Sequence, residues 1–469
     1  MDRALEESDA RGLRDLEAFV NVSEHNSVPC FYSCTIHTHH TPATSRESLR
    51  FHVSLARRDS LAIESDCHNL DKNRASYSGV GAVNLLEAIR ILVACPTLTY
   101  TQYVDSRLWA SSSKKFDVPH RFNEDLMSEV FSLLKSSPSL SWFHFFNSVG
   151  SDVSLYCKHL QTLVCENPRL ETLTVVSTSG PNLVVLAKAL AVCLSRNTVL
   201  NSFTLKNLAD NYELSRESLE ILLSPFTSSS PSEANADLKE LALYSGYDPS
   251  KYSDVDVDVM ANLVCRNTTL KKLDLHFSKF RSCLKDGKSS WREFCRALEV
   301  NQTLEELSCP CEVAAMRELL VPFVLDRYGR QPNTTLSTLR LSVSIEGHCR
   351  RVEVLVNNFV IVLRDLASAL QRNTTLKHVQ FIFQRNMYGD YKRYDTKYST
   401  YKVLCQAEPQ IQEILRMMID NELRVNTSLE SLEVGHWSLL RVGTEWQTSY
   451  RGPCLRKAKE YYVKVKVTP

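Results

Sequence analysis

Apolar residues recur along this chain as a phrase rather than as long runs. The phrase is a leucine, two residues, an apolar residue, one residue, then another apolar residue, as in "NTTLKKLDL" around Leu270. Ten copies align on Leu98, Leu140, Leu170, Leu200, Leu238, Leu270, Leu304, Leu336, Leu376 and Leu429. Successive anchors stand 42, 30, 30, 38, 32, 34, 32, 40 and 53 residues apart, so the intervals cluster near 30. The last two apolar positions of the phrase are two apart, the period of a strand that buries one face. Upstream of the phrase the period changes to that of a helix. Leu186, Leu190 and Leu194 fall on one stripe, as do Trp291, Phe294 and Leu298, and Leu363, Leu366 and Leu370. The predicted unit is helix, short turn, short strand. The longer intervals hold polar, turn-forming insertions, "SPFTSSSPSEANAD" and "QRNMYGDYKRYDTKYST".

The junction between helix and strand has its own chemistry. Asn-Thr-Thr-Leu stands at Asn267, Asn333 and Asn373, with close variants at Asn197, Asn301 and Asn426. Asn adopts the left-handed conformation that closes a helix more readily than most residues, and Thr suits the extended chain that follows. The four letters therefore predict a helix stop, a strand entry and the first core leucine of each unit. A helix that returns the chain to a parallel strand makes a right-handed crossover. Neither element buries its apolar face alone, so units must stack, and stability becomes nearest-neighbour in character.

This pattern resembles leucine-rich repeats, in particular the long, helix-bearing ribonuclease-inhibitor-like class. "LAKALAVCLSRNTVLNSFTL" and "ANLVCRNTTLKKLDL" carry the resemblance, which spans roughly residues 80 to 436. It is also similar to the repeat region of NLR-type receptors, without a nucleotide-binding module. The resemblance implies an α/β leucine-rich repeat solenoid, a horseshoe with parallel strands on the concave face and helices on the convex face. The family follows its strand with a laddering Asn or Cys. "LDLHFSKF" and "LTVVSTSG" show no regular residue there, so the repeats are expected to be irregular. Helical solenoids have comparable periods, but the two-apart signature argues against them. The expected division is 1–78 as an N-terminal cap or small non-repeat region, 79–436 as about ten repeats, and 437–469 as a C-terminal cap and basic tail.

Composition changes this picture little. Of 469 residues, 43% are hydrophobic and 23% charged, which allows a large core. Fifty-five Lys and Arg balance 54 Asp and Glu, so no global charge argues for nucleic acid or an anionic membrane. The first twenty residues, "MDRALEESDARGLRDLEAFV", lack the apolar run of a signal peptide, and no uninterrupted apolar stretch is long enough to span a membrane. The 15 cysteines are accordingly expected to be buried, reduced thiols, and the protein cytoplasmic, with the nucleus as the other compartment. Asn-x-Ser/Thr matches at Asn267, Asn301, Asn333, Asn373 and Asn426 all lie in the repeats and read as repeat chemistry rather than glycosylation sites.

Candidate chemistry is sparse. "CFYSCTIHTHH" gathers Cys30, Cys34, His37, His39 and His40, ligand types that zinc uses, though without the usual spacing; a Cys- and His-bearing strand is the favoured reading. "DGKSS" has the Gly-Lys-Ser of a phosphate loop, but Ser282 stands where the first glycine belongs, so an insertion loop is expected. Asp254, Asp256 and Asp258 alternate without the glycine and glutamate of a calcium loop, and predict a solvated helix start. The basic, alternating "RGPCLRKAKEYYVKVKVTP" reads as an edge strand or protective tail rather than a nucleic-acid site. No catalytic or cofactor fingerprint is present, and no cofactor is implied.

The remaining candidate is a surface. In a leucine-rich solenoid the strand residues between the core leucines face outward on the concave side. These are Trp142, His144, Thr172, Thr174, Thr204, Lys206, Glu240, Tyr244, Lys272, Asp274, His276, Glu306, Arg340, His378, Gln380 and Glu433. Aromatics and both charge signs suit a protein partner. The expected function is a non-catalytic protein–protein interaction scaffold. The alternative is a substrate-recruiting or sensing subunit of a larger complex, such as a ubiquitin ligase or an innate immune receptor.

Overall fold

A computed structural model describes strands at 32–39, 48–55 and 98–105, positions 14, 87 and 90, and most of 128–147. Beyond that it describes 153–177, 183–207, 214–227, 237–245, 257–277, 288–323, 333–344, 352–383, 400–450 and 461–463. Both long insertions fall largely outside the described residues. The chain forms two compact units, residues 1–225 with 230–238, and residues 226–229 with 239–469.

The first unit contains strands β1 (Tyr32–His39), β2 (Ser48–Leu55), β3 (Leu98–Asp105), β4 (Trp142–Asn147), β5 (Thr172–Ser177) and β6 (Ser202–Asn207). Helices α1 (Val153–Glu166) and α2 (Leu183–Arg196) connect β4 to β5 and β5 to β6, and α3 (Arg216–Thr227) runs across the division. The strand order is β2-β1-β3-β4-β5-β6, all pairs parallel except the antiparallel β1–β2 hairpin.

In the second unit β7 (Glu240–Ser245), β8 (Lys272–Phe277), β9 (Glu306–Glu312), β10 (Thr338–Ser344), β11 (His378–Phe383) and β12 (Ser431–Val434) pair in sequence order and in parallel. Helices α4 (Val257–Arg266), α5 (Lys288–Val300), α6 (Val313–Leu320), α7 (Val352–Arg372) and α8 (Thr400–Asp420), with the short α9 (Glu422–Val425), make the crossovers. Each unit is thus an α/β repeat solenoid. The period switch read from the residues is realised at every described rung. Leu140, Leu170, Leu200, Leu238, Leu270, Leu304, Leu336, Leu376 and Leu429 are all buried, as are the paired strand residues Leu273 and Leu275, Leu339 and Leu341, and Val379 and Phe381. The helical stripes Trp291–Phe294–Leu298 and Leu363–Leu366–Leu370 face the same core. Leu98 opens β3.

The recurring asparagine does more than stop a helix. Asn333 is buried, and its side chain hydrogen-bonds on both edges. Its Oδ1 accepts the backbone N–H groups of Thr335 (3.0 Å) and Leu336 (2.8 Å), which turns the chain into the strand. Its Nδ2 donates to the carbonyls of Leu298 (2.7 Å) and Asn301 (2.9 Å) in the preceding unit. Asn301 repeats the pattern onto Val264 and Asn267, and Asn426 onto Leu370 and Asn373. In the first unit Asn197 donates to Val164. The expected left-handed cap is corrected at Asn426, whose φ and ψ of −73° and 125° are extended. The side chain, not a special backbone conformation, closes the turn. The inter-unit ladder that was missing after the strand is therefore present before it. The glycosylation-like signature follows from the same geometry: the Thr or Ser two residues on adds its hydroxyl to the network, as Thr375 does to Asn333 O at 3.4 Å.

The ladder ends on a different residue. After β12, two glycine-led turns, with Gly435 at φ 61° and Gly443 at φ 65°, produce an antiparallel meander of β13 (Trp437–Val442) and β14 (Glu445–Tyr450). Arg441 on β13 donates Nη2 to the carbonyls of Leu423 (3.1 Å) and Asn426. These are the two carbonyls that the Asn of a following unit would take. The guanidinium lies over the Trp446 ring at 4.7 Å, and burial lowers its pKa. β15 (Tyr461–Val463) then pairs antiparallel with β14, as an edge strand of the basic C-terminal segment.

Two smaller expectations change. Lys288, Ser289 and Ser290 of the "DGKSS" stretch open helix α5 rather than lying in a loop, while Ser282, Asp286 and Gly287 lie outside the described residues. The cysteines are not uniformly buried: Cys157, Cys193, Cys295, Cys309 and Cys311 are, but Cys165 is half-buried and Cys265 exposed, all as free thiols.

Candidate functional site

With one face of each parallel sheet covered by crossover helices, the opposite face is lined by alternate strand residues, and the register sorts them into rows. In the second unit one row runs Glu240, Lys272, Glu306, Thr338, His378, Ser431. A second row runs Ala242, Asp274, Ser308, Arg340, Gln380, Glu433. Parallel in-register pairing puts side chains of successive repeats close together, so each row couples through its polar groups. Lys272 reaches Glu306 at 4.0 Å, and Arg340 reaches the same carboxylate at 3.5 Å. Farther along, Gln380 donates to Glu433 at 2.5 Å, and His378 Nδ1 lies 2.9 Å from the Ser431 hydroxyl.

The tightest cluster stands on β7 and β8. Tyr244 and His276 occupy paired positions and stack with ring centroids 4.5 Å apart and planes 5° off parallel. Asp274 serves both: it accepts the Tyr244 hydroxyl at 3.0 Å and lies 2.8 Å from His276 Nε2. Burial alone would raise the Asp274 carboxyl. The hydrogen bond and charge of His276, with hydrogen bonds from Ser308 and Tyr244, overcome that cost and hold its pKa below the ordinary value. The Tyr244 phenol moves the other way: burial, the Asp274 charge and the hydrogen bond to it keep the proton on. The three side chains therefore form a fixed, half-exposed aromatic platform around a carboxylate.

On the first unit the rows run Trp142–Thr172–Ser202, His144–Thr174–Thr204 and Phe146–Val176–Lys206. Trp142 is 46% exposed, while Thr174 is only 8% exposed, so the outward position predicted for it is covered by its neighbours. Burial, then the charge of Lys206, lowers the pKa of His144 and favours its neutral form. The predicted residues lie on the strands in the register just given, with Thr174 buried rather than exposed. Polar residues that the anchor pattern did not single out join them: Ser202, Ser308, Thr338 and Ser431 extend the rows, and Glu430 lies 3.8 Å from both Lys377 and His378. They could have been found by aligning every strand on its core leucine and reading across.

The metal candidate divides. Cys34, His37 and His39 lie on β1, whereas Cys30 and His40 fall outside the described residues. Among the described residues no group of three or more His, Cys, Asp or Glu comes together as a metal site, and no helix is long and apolar enough to cross a membrane. Asp258 opens α4 as expected for a solvated helix start; Asp254 and Asp256 lie outside the described residues.

No family model and no curated protein matches the chain. Among solved structures it is similar to a chain in the crystal structure of a Rad7 and Elc1 complex in yeast, at 14% identity over 69% of this chain and 70% of that one, with a TM-score of 0.32.

Proposed function

We propose that the open strand face, centred on Tyr244, Asp274 and His276, docks a protein partner, and that the protein is a non-catalytic scaffold of leucine-rich repeats of the ribonuclease-inhibitor-like class. What supports this reading is the platform itself. Stacking and two contacts to Asp274 hold the aromatic pair in place before any partner arrives, so little side-chain entropy remains to be lost on binding. Half-exposed Tyr and Arg side chains are the types that anchor protein interfaces. The same geometry disfavours proton-transfer chemistry at Tyr244, whose hydroxyl is committed to a carboxylate that holds its proton on.

The test is affinity capture with the intact chain against a Tyr244→Ala/Arg340→Ala double variant, read by quantitative mass spectrometry. Proteins retained by the wild type should be lost from the double variant and kept by Arg416→Ala, which alters an exposed side chain on helix α8. Thermal melts must first show that all three chains are equally folded. Equal retention by the wild type and the double variant refutes the docking face.

A further inference from the structure

Helices α1 and α2 face each other with a constant offset. Cys157 Sγ approaches the Val185 carbonyl at 4.0 Å, and one turn later Gln161 Nε2 donates to the Ala189 carbonyl at 3.4 Å, both pairs 28 residues apart. One further turn along the same seam, the same offset places Cys165 opposite Cys193, and each thiol shifts the ionisation of the other. Cys193 is fully buried, whereas Cys165 is half-buried beside Arg196 and Glu166. Two thiols facing each other across one seam, one half-buried and one sealed, form a graded pair rather than two isolated core cysteines.

We propose that Cys165 and Cys193 are a redox modification site, in which hydrogen peroxide converts the pair to a disulfide joining two successive repeat units. Cys165 is the residue oxidised first because oxidant can reach it. The Cys193 hydrogen bond lowers its pKa to about 7; burial opposes this, Arg196 assists and Glu166 opposes. A substantial thiolate fraction therefore exists near neutral pH, and the thiolate is the reactive form. The Cys165 thiolate attacks one peroxide oxygen; an S–O bond forms, the O–O bond breaks and hydroxide leaves. The Cys193 sulfur then attacks the sulfenic sulfur; the S–S bond forms, the S–O bond breaks and, with the thiol proton, water leaves. Across both steps two thiols are oxidised and one peroxide is reduced to two waters. Cys193, whose own proton is held tightly by its bond to Cys165 and by burial, is the resolving thiol. Closure brings the two sulfurs to an S–S length of about 2.05 Å. The link spans β5, tying α1 and α2 across one complete repeat.

The test treats the full, reduced chain with equimolar hydrogen peroxide and maps the products by mass spectrometry. The wild type should lose two hydrogens and yield one cross-linked peptide pair, Cys165–Cys193. Cys157→Ser should behave identically. Cys193→Ser should instead accumulate dimedone-trappable sulfenic acid at Cys165, and Cys165→Ser should yield neither product. Alkylation of Cys165 in the wild type, followed against pH, gives a reading that needs no variant, with a midpoint near 7 expected. A cross-link between other cysteines, sulfinic acid at Cys165 beside free Cys193, no reaction, or an alkylation midpoint at the ordinary thiol value each overturns the assignment.

Discussion

Replacing Asn333 by Ala isolates the strongest feature of the repeat. The amide makes four short hydrogen bonds: two donated to the carbonyls of Leu298 and Asn301 and two accepted from the N–H groups of Thr335 and Leu336. Alanine leaves two carbonyls and two amides without that partner in a buried turn. At about 1 kcal/mol per net hydrogen bond, with a further cost for buried groups left unsatisfied, the expected loss is about 3–5 kcal/mol. Asn333→Asp sharpens the test. It keeps an acceptor for the two amides but presents a second oxygen to two carbonyl oxygens, so its carboxyl is expected to take up a proton on folding. The Asp variant should therefore be at least as damaged as Ala near neutral pH and recover partly as pH falls, whereas the Ala variant should not. Thr335→Val, which removes only a hydroxyl 3.3 Å from the Asn333 oxygen, should cost less than about 1 kcal/mol. Urea unfolding followed by circular dichroism supplies the midpoints. Hydrogen exchange supplies the location, because in a stacked array the damage should concentrate at the interfaces on either side of the altered rung. Protection of the Leu336 amide should collapse while that of the first unit persists. An Ala variant within about 1 kcal/mol of the wild type, with Leu336 still protected, would refute the ladder as a source of stability.

Arg441→Leu should open the C-terminal end by leaving the Leu423 and Asn426 carbonyls without their donor, lowering stability by about 2 kcal/mol and raising exchange in β12–β14, with Arg441→Gln restoring part of it. The pKa of Asp274 is depressed on folding, so its contribution is present above the unfolded value near 3.8 and disappears as pH falls through the lower folded value. Asp274→Asn should therefore be less stable than the wild type at neutral pH and flatten acid unfolding below about pH 4. His144 has a folded pKa below its ordinary 6.5, so the unfolded chain binds more protons between those two values and stability drops as pH descends through that window. His144→Gln should abolish that slope, as read by melting temperature against pH. Loss of the buried Trp291 indole, whose Nε1 donates to the Ala315 carbonyl at 3.1 Å, should destabilise Trp291→Ala by about 3–5 kcal/mol and Trp291→Phe by less, in urea titration.

The alternation of helix and strand, the anchor leucines and many of the outward strand positions were legible in the residue pattern. Each follows from which side of a short element must leave water, a property local to about a dozen residues. The Asn-Thr-Thr-Leu phrase was legible as a turn for the same reason, since Oδ1 bonds only two and three residues ahead. What only the tertiary structure decided involves partners 15 to 56 residues away, beyond the reach of any local pattern. The amide of Asn333 spans to Leu298 and that of Asn426 to Leu370. Arg441 stands where a further asparagine rung would, yet shares no letters with the phrase it replaces. Tyr244, Asp274 and His276 become one cluster because β7 and β8 pair in a single register, and a slip of one residue would turn their side chains to the opposite face. Periodicity encodes which face is buried, but register and stacking, set by the packing of successive units, choose which side chains meet.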